Sequence, residues 1–494
     1  VNEHSKHQAR ERAIARCRER GIVIPTIAEQ RDPGTVPPKV VERLRNVDMQ
    51  AVDPANLYRI TWHNDPATGG FGAVNALEIP SSLSGVEARI VGLVGKHFPT
   101  GAHKVGAAFG CLVPRLVAGE FDPTTQKAVW PSTGNYCRGG AFDSALLACQ
   151  AVAILPREMS RERFEWLASI GAEIIATPGC ESNVKEIFDA CWEIRKTQPN
   201  AVIFNQFDEF GNYLWHFGVT GPAAVEAFEA LGGERTRFAA WVGATGSAGT
   251  LAAGDYLKDH CPGLTITAAE ALQCPTLLAC GFGGHRIEGI GDKHVPWIHN
   301  ARNTDLVAAI DDEAPMRLLR VFNEPAGGEM LARRGLPAAL VGALPLLGIS
   351  SIANLLAAIA TVRHFELGAD DVVLTSFTDS AALYQTRLAE LTAERGAYTE
   401  RQAEIDFERF LLGATTDHLR ELTYPERKAI HNLKYFTWVE QQGKTVEELD
   451  ALWSPSFWRD LQAQLPEWDR EIAAFNEEVG VRGPGTGVRT TVGA

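Results

Sequence analysis

One lysine stands at the entrance of a glycine-loosened apolar run in "KHFPTGAHKVGAAFG", residues 96–110. A lysine desolvated at the edge of a core has its pKa lowered and becomes a usable amine nucleophile or base. Lys104 is so placed, between His103 and Val105, with Gly101, Gly106 and Gly110 around it. Alone it also fits an ordinary role, its stem packed and its amine reaching water. A second stretch, "GATGSAGT" at 243–250, follows the strand-like "FAAWV" and precedes a helical segment. Glycines at such a turn let backbone N–H groups approach an anion, and the helix dipole adds to the attraction. A tight strand-to-helix turn has the same look. The loop lacks the lysine of a nucleotide P-loop, and no acidic residue is placed for a dinucleotide.

Two more strand ends carry polar groups. "PSTGNYCRGG", 131–140, offers Thr133, Asn135 and Tyr136 at a helix mouth, where they suit a carboxylate or simply cap the helix. "LTSFTDS", 374–380, presents Thr378, Asp379 and Ser380, and a hydroxyl there can face a neutral ring nitrogen or serve as a cap. An amine, a phosphate cradle and a carboxylate cradle in one chain are what lysine-bound pyridoxal phosphate and an amino-acid substrate require.

These groups need a scaffold, and the chain has the length for one. Its 494 residues exceed what one core usually organises, so two lobes are expected. A hydrophobic fraction of 45 % with 22 % charged residues is that of a soluble globular protein. The net charge, 47 basic less 61 acidic residues, is −14, which argues against a nucleic-acid surface but not against a local anion pocket. No run of 18 apolar residues suggests a membrane span, and the first 20 residues lack the apolar stretch of a secretory signal. Nine scattered cysteines without a C-x-x-C pair point to reduced thiols and a cytoplasmic location.

From "ARIVGLVGKH" onward short apolar runs alternate with helical stretches. "KAVWPS", "AVAILP", "AEIIATPG" and "NAVIFNQ" are strand-like, as are "FAAWVGATG", "GLTITAAEA" and "DDVVLTSFT" later in the chain. Strands of four to seven residues between helices of ten to fifteen make the α/β pattern of parallel sheets. Residues 1–90 form a leader that covers something. Beyond about 385 strands fade, and Trp438, Trp453, Trp458 and Trp468 make the charged tail a packed helical extension.

The chain resembles the fold-type II pyridoxal-phosphate enzymes, above all the cysteine synthase and cystathionine β-synthase family. "GAHKVG" is also similar to the lysine segment of tryptophan synthase β chains. "STGNY" at 132–136 matches the family's T-S-G-N-T loop, and "ILPREMSRERFEWLASIGAEIIATPG" at 154–179 matches its V-x-P … G-A-E-V stretch. "NQFDEFGNYLWHFGVTGP", "GSAGT", "HRIEGIG", "GISSIAN" and "FTDSAALY" follow in family order. Departures are Tyr136 and Cys137 in place of threonine and glycine after the loop asparagine, and the His103–Lys104–Val105 context.

The resemblance implies an α/β, two-lobed fold with parallel-rich sheets flanked by helices, plus an N-terminal leader and a C-terminal helical extension. It implies a catalytic core at 91–385, with the smaller lobe around 130–225, between a leader at 1–90 and an extension at 386–494. It implies pyridoxal 5'-phosphate as cofactor and a homodimer. Lys104 would bind the cofactor covalently, Asn135 its phenolic oxygen, Gly246, Ser247, Ala248, Gly249 and Thr250 its phosphate, and Ser380 its pyridine nitrogen. Thr133, Gly134, Tyr136 and Gln206 would receive the substrate carboxylate, with Gly289 near the substrate amine. The implied reaction is β-elimination or β-replacement on a β-substituted L-amino acid such as cysteine, serine or O-acetylserine. A dehydratase or ammonia-lyase acting on another amino acid, and a non-catalytic amino-acid-binding protein, are the alternatives. No metal, nucleic acid or membrane is expected.

Overall fold

The computed structural model describes residues 3–132, 134–179, 184–233 and 236–480. Two sheets organise them. The larger has seven strands, β1 (Ala76–Ile79), β2 (Arg89–Val94), β7 (Arg237–Ala244), β8 (Thr265–Ala271), β9 (Leu306–Ile310), β10 (Asp371–Phe377) and β11 (Leu419–Glu421). Their order is β1-β2-β10-β7-β8-β9-β11. The smaller has β3 (Lys127–Pro131), β4 (Gln150–Pro156), β5 (Glu173–Thr177) and β6 (Ala201–Ile203), in the order β5-β4-β3-β6. Every pairing in the smaller sheet is parallel. In the larger, only the two edge pairings, β1 with β2 and β11 with β9, are antiparallel.

The apolar runs make central strands because parallel strands are covered on both faces and need no polar alternation. Val372, Val373 and Leu374 of β10 are fully buried, as are Ala240, Trp241 and Val242 of β7. The edges differ. β1 and β11 are short and bury only Ile79 fully, so their sequences carry no continuous apolar signal. β11 also places one strand in the tail, where the sequence pattern gives helices alone. No single described helix is long and apolar enough to cross a membrane.

Parallel sheets gather ligand sites at the carboxyl ends of their strands. Here those ends, at residues 94, 131, 203, 244 and 377, lead into the segments that carry Lys104, Asn135, Gln206, the 246–250 loop and Thr378. The helix Lys104–Val117 begins at the lysine and buries all but three of its residues. Its glycines serve close approach. A Cβ at Gly106 would lie 2.1 Å from the Trp215 ring, and one at Gly110 would lie 2.4 Å from the Gly211 carbonyl oxygen. The helix Phe210–Trp215 therefore nests against it backbone to backbone. Gly106→Ala is expected to destabilise the protein by about 1–3 kcal/mol, the usual cost of overpacking a filled site, as read from the denaturant midpoint.

Both ends of the chain close over this helix. Glu3–Arg20 pairs with the helix Leu465–Val479 through a two-pronged Arg10–Glu478 contact, and Phe475 and Val479 enter the core that also holds Phe109 and Leu112. Gln30 accepts from Trp215 Nε1 at 2.6 Å. In the extension, Trp438 and Trp458 are buried in a cluster that includes Phe207, the neighbour of Gln206.

Candidate active site

Lys104 opens its helix with the half-buried side chain directed into a cavity at the junction of the two lobes. Its Nζ donates to Ser247 Oγ at 2.7 Å and to Gln206 Oε1 at 3.4 Å. One lysine amine thus touches the glycine loop of the large lobe and the strand-end segment of the small lobe.

The loop that meets it turns sharply between β7 and the helix Leu251–His260. Ala248 adopts a left-handed backbone, φ +63°, which lets successive amides of the loop face the same side. Gly249 is required by contact: a Cβ there would sit 2.2 Å from Asn212 Oδ1. Asn212 is fully buried, and its Nδ2 donates to Ser247 Oγ at 2.9 Å and to the Gln206 carbonyl at 3.0 Å. The pair of bonds ties the loop to Gln206. Ser132 supports the other side, its Oγ accepting from the Gly134 amide at 3.1 Å and from Gln206 Nε2 at 3.2 Å.

Asn135 begins the helix Asn135–Leu146 and donates from Nδ2 to Asp379 Oδ2 at 2.6 Å, while its Oδ1 is buried without a hydrogen-bond partner among the described residues. Tyr384 donates to the same Asp379 oxygen at 2.6 Å. Burial pushes the Asp379 carboxyl above the usual range, partly offset by the Tyr384 hydroxyl, Arg163 and Asn135. At the end of β10, the Thr378 carbonyl accepts from the His103 amide and faces His103 Nδ1 at 3.2 Å. Burial, then the adjacent Lys104 charge, lowers His103 to about 3, so its ring is neutral and donates from Nδ1. It stacks on Trp62, which fills the space behind it.

Lys104, Asn135, Tyr136, Gln206, Gly246, Ser247, Ala248, Gly249, Thr250 and Gly289 all line the one cavity. Thr133 lies outside the described residues. Gly134 and Ser380 do not line the cavity. The strand-end hydroxyl that reaches it belongs to Thr378, whose Oγ1 lies 2.6 Å from Ser350 Oγ, whereas Ser380 is buried with its Oγ unpartnered among the described residues. Tyr136 lines the cavity, but its hydroxyl is held beside the Cys111 thiol and burial raises its pKa well above the ordinary value. Its ring packs edge-on against Trp130, 5.4 Å between centroids.

Ser132, His103, Phe207, Ile290 and Asp292 also line the cavity and escaped the sequence reading. Ser132 opens the quoted "STGNY" and could have been found there. Asp292 follows "GIG" directly and carries no local signal of its own.

The residues fit pyridoxal phosphate. The 246–250 loop offers amides and the Ser247 and Thr250 hydroxyls at a helix mouth, and Gly249 lets the loop backbone pack directly on Asn212. The buried, unpartnered Asn135 Oδ1 and the Thr378 hydroxyl supply polar atoms for a ring, and Lys104 supplies the amine.

Comparison with known proteins points to the same cofactor. Residues 95–324 match the family "Pyridoxal-phosphate dependent enzyme". A probable cysteine synthase of Bacillus subtilis is 28 % identical over 287 residues, 58 % of this chain and 85 % of that protein. Cystathionine beta-synthase of Saccharomyces cerevisiae is 25 % identical over 322 residues, 63 % of this chain and 60 % of that protein. Among solved structures, a hydrogen sulfide-producing enzyme from Fusobacterium nucleatum superposes with a TM-score of 0.52 at 25 % identity, covering 65 % of this chain and 88 % of that one. A cysteine synthase from Entamoeba histolytica shares the fold at a TM-score of 0.55 and 19 % identity, covering 68 % and 93 %.

Proposed function

We propose that this chain, whose residues 95–324 match the pyridoxal-phosphate dependent enzymes, catalyses β-elimination or β-replacement on a β-substituted L-amino acid such as cysteine, serine or O-acetylserine. The observation that carries this reading is the contact of Lys104 Nζ with both Ser247 and Gln206, which joins the phosphate loop and the carboxylate side of the cavity at one amine.

In this reading Lys104, Asn135, the 246–250 loop and Thr378 hold pyridoxal 5'-phosphate, with Thr378 in the place expected of Ser380. The bound cofactor supplies an electron-withdrawing ring that acidifies the Cα–H of an attached amino acid. The amino acid's carboxylate is received by the 132–136 loop and Gln206. Lys104 Nζ takes the α-proton as general base, within reach of Ser247 Oγ, which steadies the amine. A neutral hydroxyl at Thr378 would suit an unprotonated pyridine nitrogen, and a cofactor held that way would favour loss of a β-substituent. Phe207, Ile290 and Ala244 give the cavity an apolar wall that limits water.

The wider organisation belongs to the same proposal: a leader at 1–90, a two-lobed core at 91–385 and an extension at 386–494, acting as a cytoplasmic homodimer. The eight cysteines among the described residues are all free thiols, which suits a reducing compartment.

The test is incubation of the holoenzyme with O-acetyl-L-serine, L-cysteine, L-serine and L-threonine while following the cofactor spectrum, pyruvate and β-substituted product. Spectral change with a serine- or cysteine-type substrate is expected. Pyruvate alone assigns elimination; a substituted product with an added thiol assigns replacement. An unchanged spectrum with all four overturns the proposal.

A further inference from the structure

Arg163 lies in the small lobe, on the helix Arg161–Ser169, and is completely buried. Its guanidinium occupies the space that a side chain at residue 134 would take: Nη1 lies 1.3 Å from the ideal Cβ position of Gly134. The arginine therefore packs directly on the backbone of the 132–136 loop. It reaches the loop by a second route. Nη2 donates to Tyr384 Oη at 3.1 Å, Tyr384 donates to Asp379, and Asp379 accepts from Asn135.

The same Nη2 lies 3.3 Å from Glu288 Oε2, the two side chains being 0 % and 3 % exposed. Glu288 precedes the cavity-lining Gly289 and is shared: its Oε1 accepts from Arg387 Nε at 2.7 Å. Arg387 belongs to the helix Gln385–Arg395 at the start of the C-terminal extension and also donates from Nη2 to the Glu158 carbonyl at 2.6 Å. One residue before, Thr386 donates from its amide and hydroxyl to Glu162 Oε1 at 2.8 and 2.6 Å. The extension thus grips both sides of the arginine's helix N-terminus while supplying half the counter-charge of the carboxylate that Arg163 needs.

We propose that Arg163 is a positioning residue for the 132–136 loop, and that the C-terminal extension sets its position through Arg387 and Glu288. The physical reason is the cost of an uncompensated charge. A buried arginine must stay where its carboxylate is, and a buried carboxylate must stay where its two arginines are. Loss of Arg387 leaves Glu288 with one partner, so the pair can shift together and Arg163 withdraws support from Gly134. That the loop receives a substrate carboxylate rests on the function proposed above. That the relay holds the loop does not.

The experiment compares the wild-type holoenzyme with Arg387→Gln and Arg163→Lys, the first chosen because Arg387 is 30 % exposed and its loss leaves the core intact. Hydrogen exchange of the 131–140 segment reads the loop directly. Titration of the cofactor spectrum with L-serine reads amino-acid binding. In Arg387→Gln, exchange of this segment is expected to quicken about fivefold, and the apparent Kd to rise by a similar factor at unchanged cofactor content. Arg163→Lys keeps the charge but loses the planar fork, and is expected to show the same changes with larger amplitude. Unchanged exchange in both variants overturns the relay, and quicker exchange with an unchanged Kd overturns the positioning role. A wild-type protein silent to all four amino acids, with the exchange difference intact, counts against the proposed reaction and leaves the relay standing.

Discussion

Lys104→Ala is expected to abolish covalent attachment of the cofactor and to lower kcat/KM by about a thousandfold or more. General acid–base groups contribute roughly 10²–10⁴ to a rate, and this amine is proposed both to hold the cofactor and to move the α-proton. Borohydride treatment followed by denaturation reads the first effect, since it fixes the cofactor to the wild-type chain and should leave the variant free of it. The substitution removes the donor that Ser247 Oγ and Gln206 Oε1 now share, yet leaves the 246–250 loop in place. Phosphate-anchored cofactor should therefore still bind. Lys104→Arg separates charge from chemistry. It keeps a cation against Ser247, but an arginine does not deprotonate at any working pH, so activity stays lost. A Lys104→Ala protein whose cofactor is still fixed by borohydride would refute the assignment.

Gly249→Ala is the second large effect, and it arises by contact alone. The added methyl would lie 2.2 Å from Asn212 Oδ1 and 2.9 Å from the His216 ring. Asn212 has nowhere inexpensive to go, because it is buried and its Nδ2 holds both Ser247 and the Gln206 carbonyl. Overpacking of this kind costs about 1–3 kcal/mol. Spent on the loop, that is roughly a tenfold to hundredfold loss of cofactor affinity. Cofactor content after extended dialysis, and fluorescence titration of the stripped protein, measure it. Gly342→Ala is the control, since no atom lies within 4 Å of the Cβ it would add and its helix prefers alanine. Equal cofactor affinity in Gly249→Ala and wild type would show that the loop does not hold the phosphate.

The two variants mark different depths of legibility. Lys104 could be picked out because its local context is unusual: a charged residue among glycines and alanines at the mouth of an apolar run. The glycine loop could be picked out because a strand, a turn and a helix announce themselves within a dozen residues. Gly249 as the loop's most demanding position could not. Its necessity comes from Asn212, 37 positions earlier, and a chain pattern does not say which side chain will lie against which backbone.

The strand-end hydroxyl shows the same limit at closer range. "FTDSAALY" offers Thr378 and Ser380 two residues apart, and both are small hydroxyl residues after an apolar strand. The choice between them depends on how the chain leaves β10. The Thr378 carbonyl is held by His103, and Asp379 is drawn away to Tyr384 and Asn135, so Thr378 is left facing the cavity. Two of those partners, His103 and Asn135, come from distant parts of the chain. The edge strands β1 and β11 failed to announce themselves for a related reason. Three or four residues paired along one side carry too little apolar periodicity to signal a strand before the neighbour is known.

What the sequence alone determined, then, were the features written in short-range chemistry: alternating apolar runs and helices that make parallel sheets, the turn residues at their carboxyl ends, and a lysine placed to act there. Only the tertiary structure decided which polar atoms share the cavity, that Arg163 stands in the place of a Gly134 side chain, and that the extension reaches the same loop through Arg387 and Glu288. The division has one physical cause. Backbone propensity and hydrophobic period act over a few residues and leave their mark in order along the chain. Close packing and charge compensation act between atoms a few ångströms apart, whatever number of residues separates them.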